Sequence, residues 1–183
     1  MSPCEKASDV SAPDERLVVH PLTPVFDRQS CVLLLGTMPS PRSREAGFHY
    51  GNPHNRFWRV LAALWEEEVP TTIEARRDLC YRHHIALDDV LASCRIAGAS
   101  DASIRDPVPN DLSRVLDHAP IKYIFCTGTT ATRLYRRLIE PVCGIPCVGL
   151  PSTSPANARM GLDELICAYA PVRVAAEGSS SRS

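Results

Sequence analysis

Residues 31–35 read CVLLL, a run with no polar face, so it can serve only as a strand covered on both sides. A strand of that kind needs neighbours. Three further short apolar signals supply them, at 85–91, 121–126 and 146–150, each with Gly, Pro or Ser near its end. Between these runs the apolar spacing becomes helical. Trp58, Leu61, Leu64 and Trp65 share one face at three- and four-residue intervals, and Asn55 stands where a cap belongs. Thr72 is placed to cap a second pattern that runs to Tyr81. Residues 111–118 predict a short helix stopped by Pro120, and 129–140 an amphipathic one with Arg133, Arg136 and Arg137 outside. A last helix is expected over 156–169. Strands alternating with helices predict an α/β chain, three α/β/α layers around a central parallel sheet.

A chain of 183 residues fits one such domain with room for a full core. The expected domain spans 17–172, between polar tails at 1–16 and 173–183 that are expected to be disordered. No internal repeat or linker interrupts it. The longest apolar runs are strand-length, so no membrane-spanning segment is predicted. The N-terminus lacks the basic start and apolar stretch of a secretory signal. A net charge of −1 supplies no global field for nucleic acid, so any affinity for DNA must come from local clusters. The eight cysteines are scattered, with Cys31, Cys126 and Cys167 in apolar runs. That usage reads as buried thiols of a reducing compartment, the cytoplasm or, in a eukaryote, the nucleus. Cys143 and Cys147 have a spacing that could ligate metal, but no second pair accompanies them, so no metal or other cofactor is expected.

The strand at 31–35 ends in Gly36 and feeds GTMPSPRSREAGFHYGNPHNRFW, residues 36–58. A buried strand opening into a loop is how α/β proteins place chemistry at the carboxyl edge of a parallel sheet. The loop carries aromatics for stacking (Phe48, Tyr50), amides for base edges (Asn52, Asn55) and arginines for phosphates (Arg42, Arg44, Arg56). After the last strand, residues 150–157 read LPSTSPAN.

These two segments resemble motif 1 and motif 2 of the uracil-DNA glycosylase superfamily. GTMPS, YGNPHNRFW, RDPVPNDL and LPSTSPAN, in that order, are similar to its hypoxanthine-DNA (DNA-deoxyinosine) glycosylase branch, over about residues 17–169. The resemblance implies the uracil-DNA glycosylase fold and a monomeric enzyme whose partner is DNA containing a damaged base. It also implies base flipping and hydrolysis of the N-glycosidic bond of hypoxanthine in base-excision repair.

The resemblance makes Tyr50 the stacking wall under the base, with Phe48 its neighbour, although core packing suits Phe48 as well. Thr37 and Met38 fall in the base pocket. Met38 departs from the mismatch-specific members, which hold the water with Asn there, and a thioether cannot act as a base. Leu150 stands where motif 2 often carries His or Asn. With both positions apolar, the amides remain as catalytic candidates. Asn55 reads as a helix cap, and Asn110 as a cap or a second catalytic amide. Asn52 lies before Pro53 without a visible capping task and is the first catalytic candidate. Arg42, Arg44, Ser152, Thr153 and Ser154 are the expected DNA contacts, with Pro155 and Ala156 as a wedge. His49 and His54 could serve as acid–base groups or phosphate contacts, but lone loop histidines are more often surface residues. Neither motif contains lysine, so water, and not a Schiff base, is the expected nucleophile. Three other readings stay open: a uracil or mismatch glycosylase with another water-holder, a damaged-DNA-binding protein without chemistry, and an N-glycosidase of free nucleosides. Arg42 and the 152–154 hydroxyls favour a polymer over the last.

Overall fold

The computed structural model describes residues 15–98 and 100–180. In chain order the first elements are β1 (Arg16–Val19), β2 (Val32–Gly36), α1 (Pro41–Ala46), α2 (Phe57–Leu64), α3 (Ile73–Arg82), β3 (Ile85–Asp89) and β4 (Leu91–Ile96). A 3-10 turn, Asp101–Ser103, leads to β5 (Arg105–Pro109), α4 (Ser113–Leu116) and β6 (Tyr123–Thr127). Then come α5 (Thr129–Leu138), α6 (Glu140–Cys143), β7 (Cys147–Leu150) and α7 (Leu162–Ser180).

The predicted parallel sheet forms in the order β3-β2-β6-β7. Strand β2 lies inside it and is buried throughout. Its side chains alternate between two cores, as the pleat requires. Val32 and Leu34 join α2, α3 and α7 on one face, through residues such as Leu61, Leu79 and Tyr169. Leu33 and Leu35 join α4, α5 and the inner side of β4 on the other, through Val115, Leu134 and Cys94. Burial of each such leucine contributes roughly 1.5–3 kcal/mol, which is why a run with no polar face is stable only here. Thr72 caps α3 as expected, its hydroxyl accepting from the Ala75 N–H.

Three features depart from expectation. The apolar signal at 85–91 divides: β3 ends at Asp89, and Leu91 opens β4, which pairs antiparallel with β1 and β5 in a second sheet. These strands are half-exposed, and β5 reads RDPVP, so neither an apolar run nor clean alternation announced them. The last helix begins at Leu162, later than expected, and runs past the expected domain end at 172. Val172, Ala175 and Ala176 are buried, so residues 173–180 are helical and hold part of the core; small residues concealed that apolar stripe. Residues 1–14 and 181–183 of the expected tails lie outside the described residues. Finally, Cys167 is exposed, whereas Cys31 and Cys126 are buried as read. Among the described residues no helix is long and apolar enough to cross a membrane.

Candidate active site

The carboxyl ends of the parallel strands open into a cavity of about 810 Å³, lined by residues from motif 1, from the 151–160 loop and from the turn at Asp101. That size suits a nucleotide-sized ligand.

Motif 1 is not loop throughout. Ser40 accepts from the Ser43 N–H, Pro41 occupies the first turn, and Gly47 closes α1 in the left-handed conformation at φ 66°. This short helix turns Arg42 outward, 72% exposed and 3.5 Å from Glu45, away from the cavity lining. Arg44 does line the cavity, while its guanidinium donates to the Pro39 carbonyl at 2.8 Å.

Beyond α1 the chain passes through Tyr50 at φ 51°, a strained value for a bulky side chain. The Tyr50 ring lies parallel to Phe57, 3.7 Å between centroids and 6° between planes. Phe57 is buried and backs the ring; Tyr50 is the member of the pair that lines the cavity. Thr127 spends its hydroxyl hydrogen on the Leu35 carbonyl at 3.3 Å, so the Tyr50 hydroxyl donates to Thr127 Oγ1 at 3.0 Å. Burial and the nearby Asp89 charge push the Tyr50 hydroxyl well above its ordinary range, which keeps it protonated. Phe48 instead is buried against Trp58 in the core and does not line the cavity, so its base-binding assignment is withdrawn.

The amides separate. Asn52 lines the cavity, with Oδ1 accepting from the His54 N–H at 3.0 Å; its Nδ2 is the end it can offer a ligand. Asn55 accepts from the Phe57 N–H at 2.9 Å, the capping role expected of it. Asn110 lies off the cavity, its Nδ2 donating to Asp88 Oδ1 at 3.0 Å and to the Asp89 carbonyl at 3.1 Å. The cap of α4 comes from Asp111, which accepts from the Ser113 N–H. Asn110 is thus a tie between strand ends, its backbone N–H donating to the Val90 carbonyl and its amide to Asp88 and Asp89.

Of the other expected pocket residues, Met38 and Thr37 line the cavity, and Thr37 donates to Asp101 Oδ2 at 2.8 Å. Leu150 does not; it is the last residue of β7, buried in the core, and Pro151 reaches the cavity in its place. Ser152, Thr153 and Ser154 all line the cavity, although Thr153 is only 1% exposed. Arg56 is committed elsewhere than to phosphate. Its guanidinium donates to the carbonyls of Ser154 (3.1 Å), Asn157 (2.7 Å) and Met160, and its backbone N–H to Thr153 (3.1 Å). It fastens the motif 2 loop to the start of α2.

The sequence reading did not join the residues of the most charged part of the site. His49, expected at the surface, is 2% exposed, and Asp89 is 5% exposed. His49 Nδ1 lies 3.2 Å from Asp89 Oδ2, and its Nε2 lies 3.0 Å from the Thr23 carbonyl. Both partners only accept, so both ring nitrogens donate and His49 is an imidazolium. Burial works against that charge, but the Asp89 hydrogen bond and charge overcome it and raise the His49 pKa. His20 Nε2 also donates to Asp89 Oδ2, at 3.0 Å, while its Nδ1 accepts from the Leu22 N–H. Burial pushes the Asp89 carboxyl up, yet the two histidine hydrogen bonds prevail and hold it down to about 2. Burial, then the Asp89 charge, pushes neighbouring Asp88 up to about 6.

His20, His49 and Asp89 bring their ligand atoms close enough to suggest a cation. The hydrogen bonding argues against one. A ligating histidine donates its remote N–H, and His20 Nδ1 accepts instead, which puts the hydrogen on the nitrogen that would face the metal. The cluster is an ion pair. Its sequence signal was Asp88–Asp89 at the end of a run that had to be buried, where an acid requires a partner.

Known proteins resemble this chain over most of its length. Residues 23–170 match the family model described as the uracil DNA glycosylase superfamily. A hypoxanthine DNA glycosylase of Methanosarcina acetivorans is 31% identical over 136 residues, covering 74% of this chain and 85% of its own. One of Methanosarcina barkeri is 30% identical over 138 residues, covering 74% and 86%. The solution NMR structure of a candidate uracil DNA glycosylase from Methanosarcina acetivorans superimposes with a TM-score of 0.71 at 26% identity, covering 86% of this chain and 99% of that one.

Proposed function

Because the chain belongs to the uracil DNA glycosylase superfamily and is a DNA N-glycosylase, we propose that the base it removes is hypoxanthine. The observation that carries this reading is the likeness to two archaeal proteins named hypoxanthine DNA glycosylase. The cavity chemistry supports it. Tyr50, backed by Phe57, offers a flat wall for a flipped purine, and Met38 adds an apolar one. Hypoxanthine presents O6 as acceptor and N1–H as donor. The Nδ2 of Asn52 donates to O6 or N7, and Asp101 supplies an acceptor on the same cavity. Adenine reverses that edge, with a donor at position 6 and a bare N1, so it sets donor against the Asn52 amide and gives Asp101 no donor, which disfavours it. No lysine is among the described cavity-lining residues, in keeping with a water nucleophile and an abasic product.

Phosphates are held by Arg44 and the Ser152 and Ser154 hydroxyls at the rim, and by Arg133, Arg136 and Arg137 on the exposed face of α5; Thr153 is too deeply buried to reach one. Those three arginines line a shallow groove that adjoins Pro151.

The test is strand cleavage by alkali after incubation with duplexes carrying hypoxanthine, uracil, xanthine or normal bases. Release of hypoxanthine well above uracil is expected. Equal or faster release of uracil overturns the assignment, and lesion binding without release of any base points to a damage sensor.

A further inference from the structure

We propose that Asp89 is a catalytic residue, its Oδ1 holding the attacking water and stabilising the positive charge that develops on the sugar. The inference rests on the glycosylase reading of the site and supplies the group that Met38 cannot.

Three observations place the carboxylate. Gly36 and Asp89 are register partners at the ends of β2 and β3, and partners in a parallel pair send their side chains to the same face. A Cβ built on Gly36 would lie 2.3 Å from Asp89 Oδ1 and 3.4 Å from the Tyr50 hydroxyl. Oδ1 therefore stands over the end of the motif 1 strand, beside the stacking wall, on the cavity that Asp89 lines. Both histidines converge on the other oxygen, Oδ2. The Tyr50 hydrogen is committed to Thr127 and cannot go to Oδ1. A charged oxygen at that place is satisfied by a donor from the cavity, and a water there is also aimed at the ligand.

The step balances without a further reactant. The C1′–N9 bond breaks and its electron pair leaves with the purine. The water oxygen bonds to C1′, its proton passes to Oδ1 and on to solvent, and the purine anion takes a proton from solvent. His49 and His20 are positioning residues: they fix the orientation of the carboxylate and keep it ionised.

The experiment compares wild type with Asp89→Asn in single-turnover excision and in binding to a duplex carrying 2′-fluoro-deoxyinosine, a sugar that resists cleavage. Excision is expected to fall about a hundredfold or more, with binding within about threefold. Excision within about fivefold of wild type by a folded variant overturns the proposal, as does parallel loss of binding and rate. If Asp89→Asn melts below the assay temperature, Gly36→Ala replaces it, since the added methyl displaces Oδ1 while the carboxylate remains. Slowed excision with retained binding then supports the proposal, and an unchanged rate overturns it. The base is judged separately, on wild type alone. If wild type prefers uracil, the hypoxanthine reading fails, and Asp89 is judged by the same ratio on uracil.

Discussion

Gly36 and Asp89 face one another across β2 and β3, and the missing side chain of the first makes room for the carboxylate of the second. Since the clash at 2.3 Å is with a side chain tethered by two histidines, it cannot be relieved by a simple rotation. Gly36→Ala should therefore lose about 1–3 kcal/mol of stability, measurable as a shift in the denaturant midpoint. An unchanged midpoint would mean that the histidine cage is loose.

The charge cluster makes a signed prediction about pH. His49 has a raised pKa, so its contribution to stability is complete below its ordinary 6.5 and is lost as pH rises through the folded value. Asp89 contributes above its ordinary 3.8, and that share is lost as pH falls through about 2. The pair is thus fully effective from about pH 4 to pH 6.5. Melting curves of His49→Gln should fall furthest below wild type in that window, and the gap should narrow at alkaline pH.

Asp88 has the opposite sense. Its carboxyl is raised from 3.8 to about 6, so the fold favours it protonated, and that advantage is lost as pH rises through about 6. Asp88→Asn keeps an oxygen for the Asp89 N–H. It should gain on the order of 1–3 kcal/mol above pH 7 and nothing below pH 4. Equal effects at both ends of the range would show that the carboxylate is not destabilising.

Arg56 should behave as a fastener. Its guanidinium fits several carbonyls of one loop at once, a task for a planar fork and not for an ammonium. Arg56→Lys should cost about 2 kcal/mol in chemical denaturation and weaken lesion binding together. Loss of nonspecific DNA affinity alone, with normal stability, would restore the phosphate role.

DNA binding should also separate the arginines. Replacing Arg133, Arg136 and Arg137 by alanine should make the salt dependence of binding shallower, by about 0.9 in log–log slope for each phosphate no longer neutralised. Arg42→Ala should change it less, since Glu45 already shares that charge. A slope unmoved by the triple variant would remove the α5 groove from the DNA path.

What the sequence by itself determined was local or periodic. The run at 31–35 had to be a central strand, because nothing else hides five apolar side chains on two faces. The helix spacing after Asn55 and the Thr72 cap could be read because each depends on neighbours within a turn or two. The four motif wordings carried the family. Tertiary structure decided the rest through contacts between distant segments. Leu150 is core and Pro151 reaches the cavity because Leu150 is still part of β7, paired with Thr127 and packed inward, and the chain leaves the sheet only after it. Arg56 looked like a phosphate ligand until a loop about a hundred residues away was found to need its donors. His49, Asp89 and His20 lie far apart in the chain, and nothing near Asp89 in sequence names the two histidines as its partners. Only their meeting beneath the sheet edge, where a lone buried charge would be too costly, makes them one site.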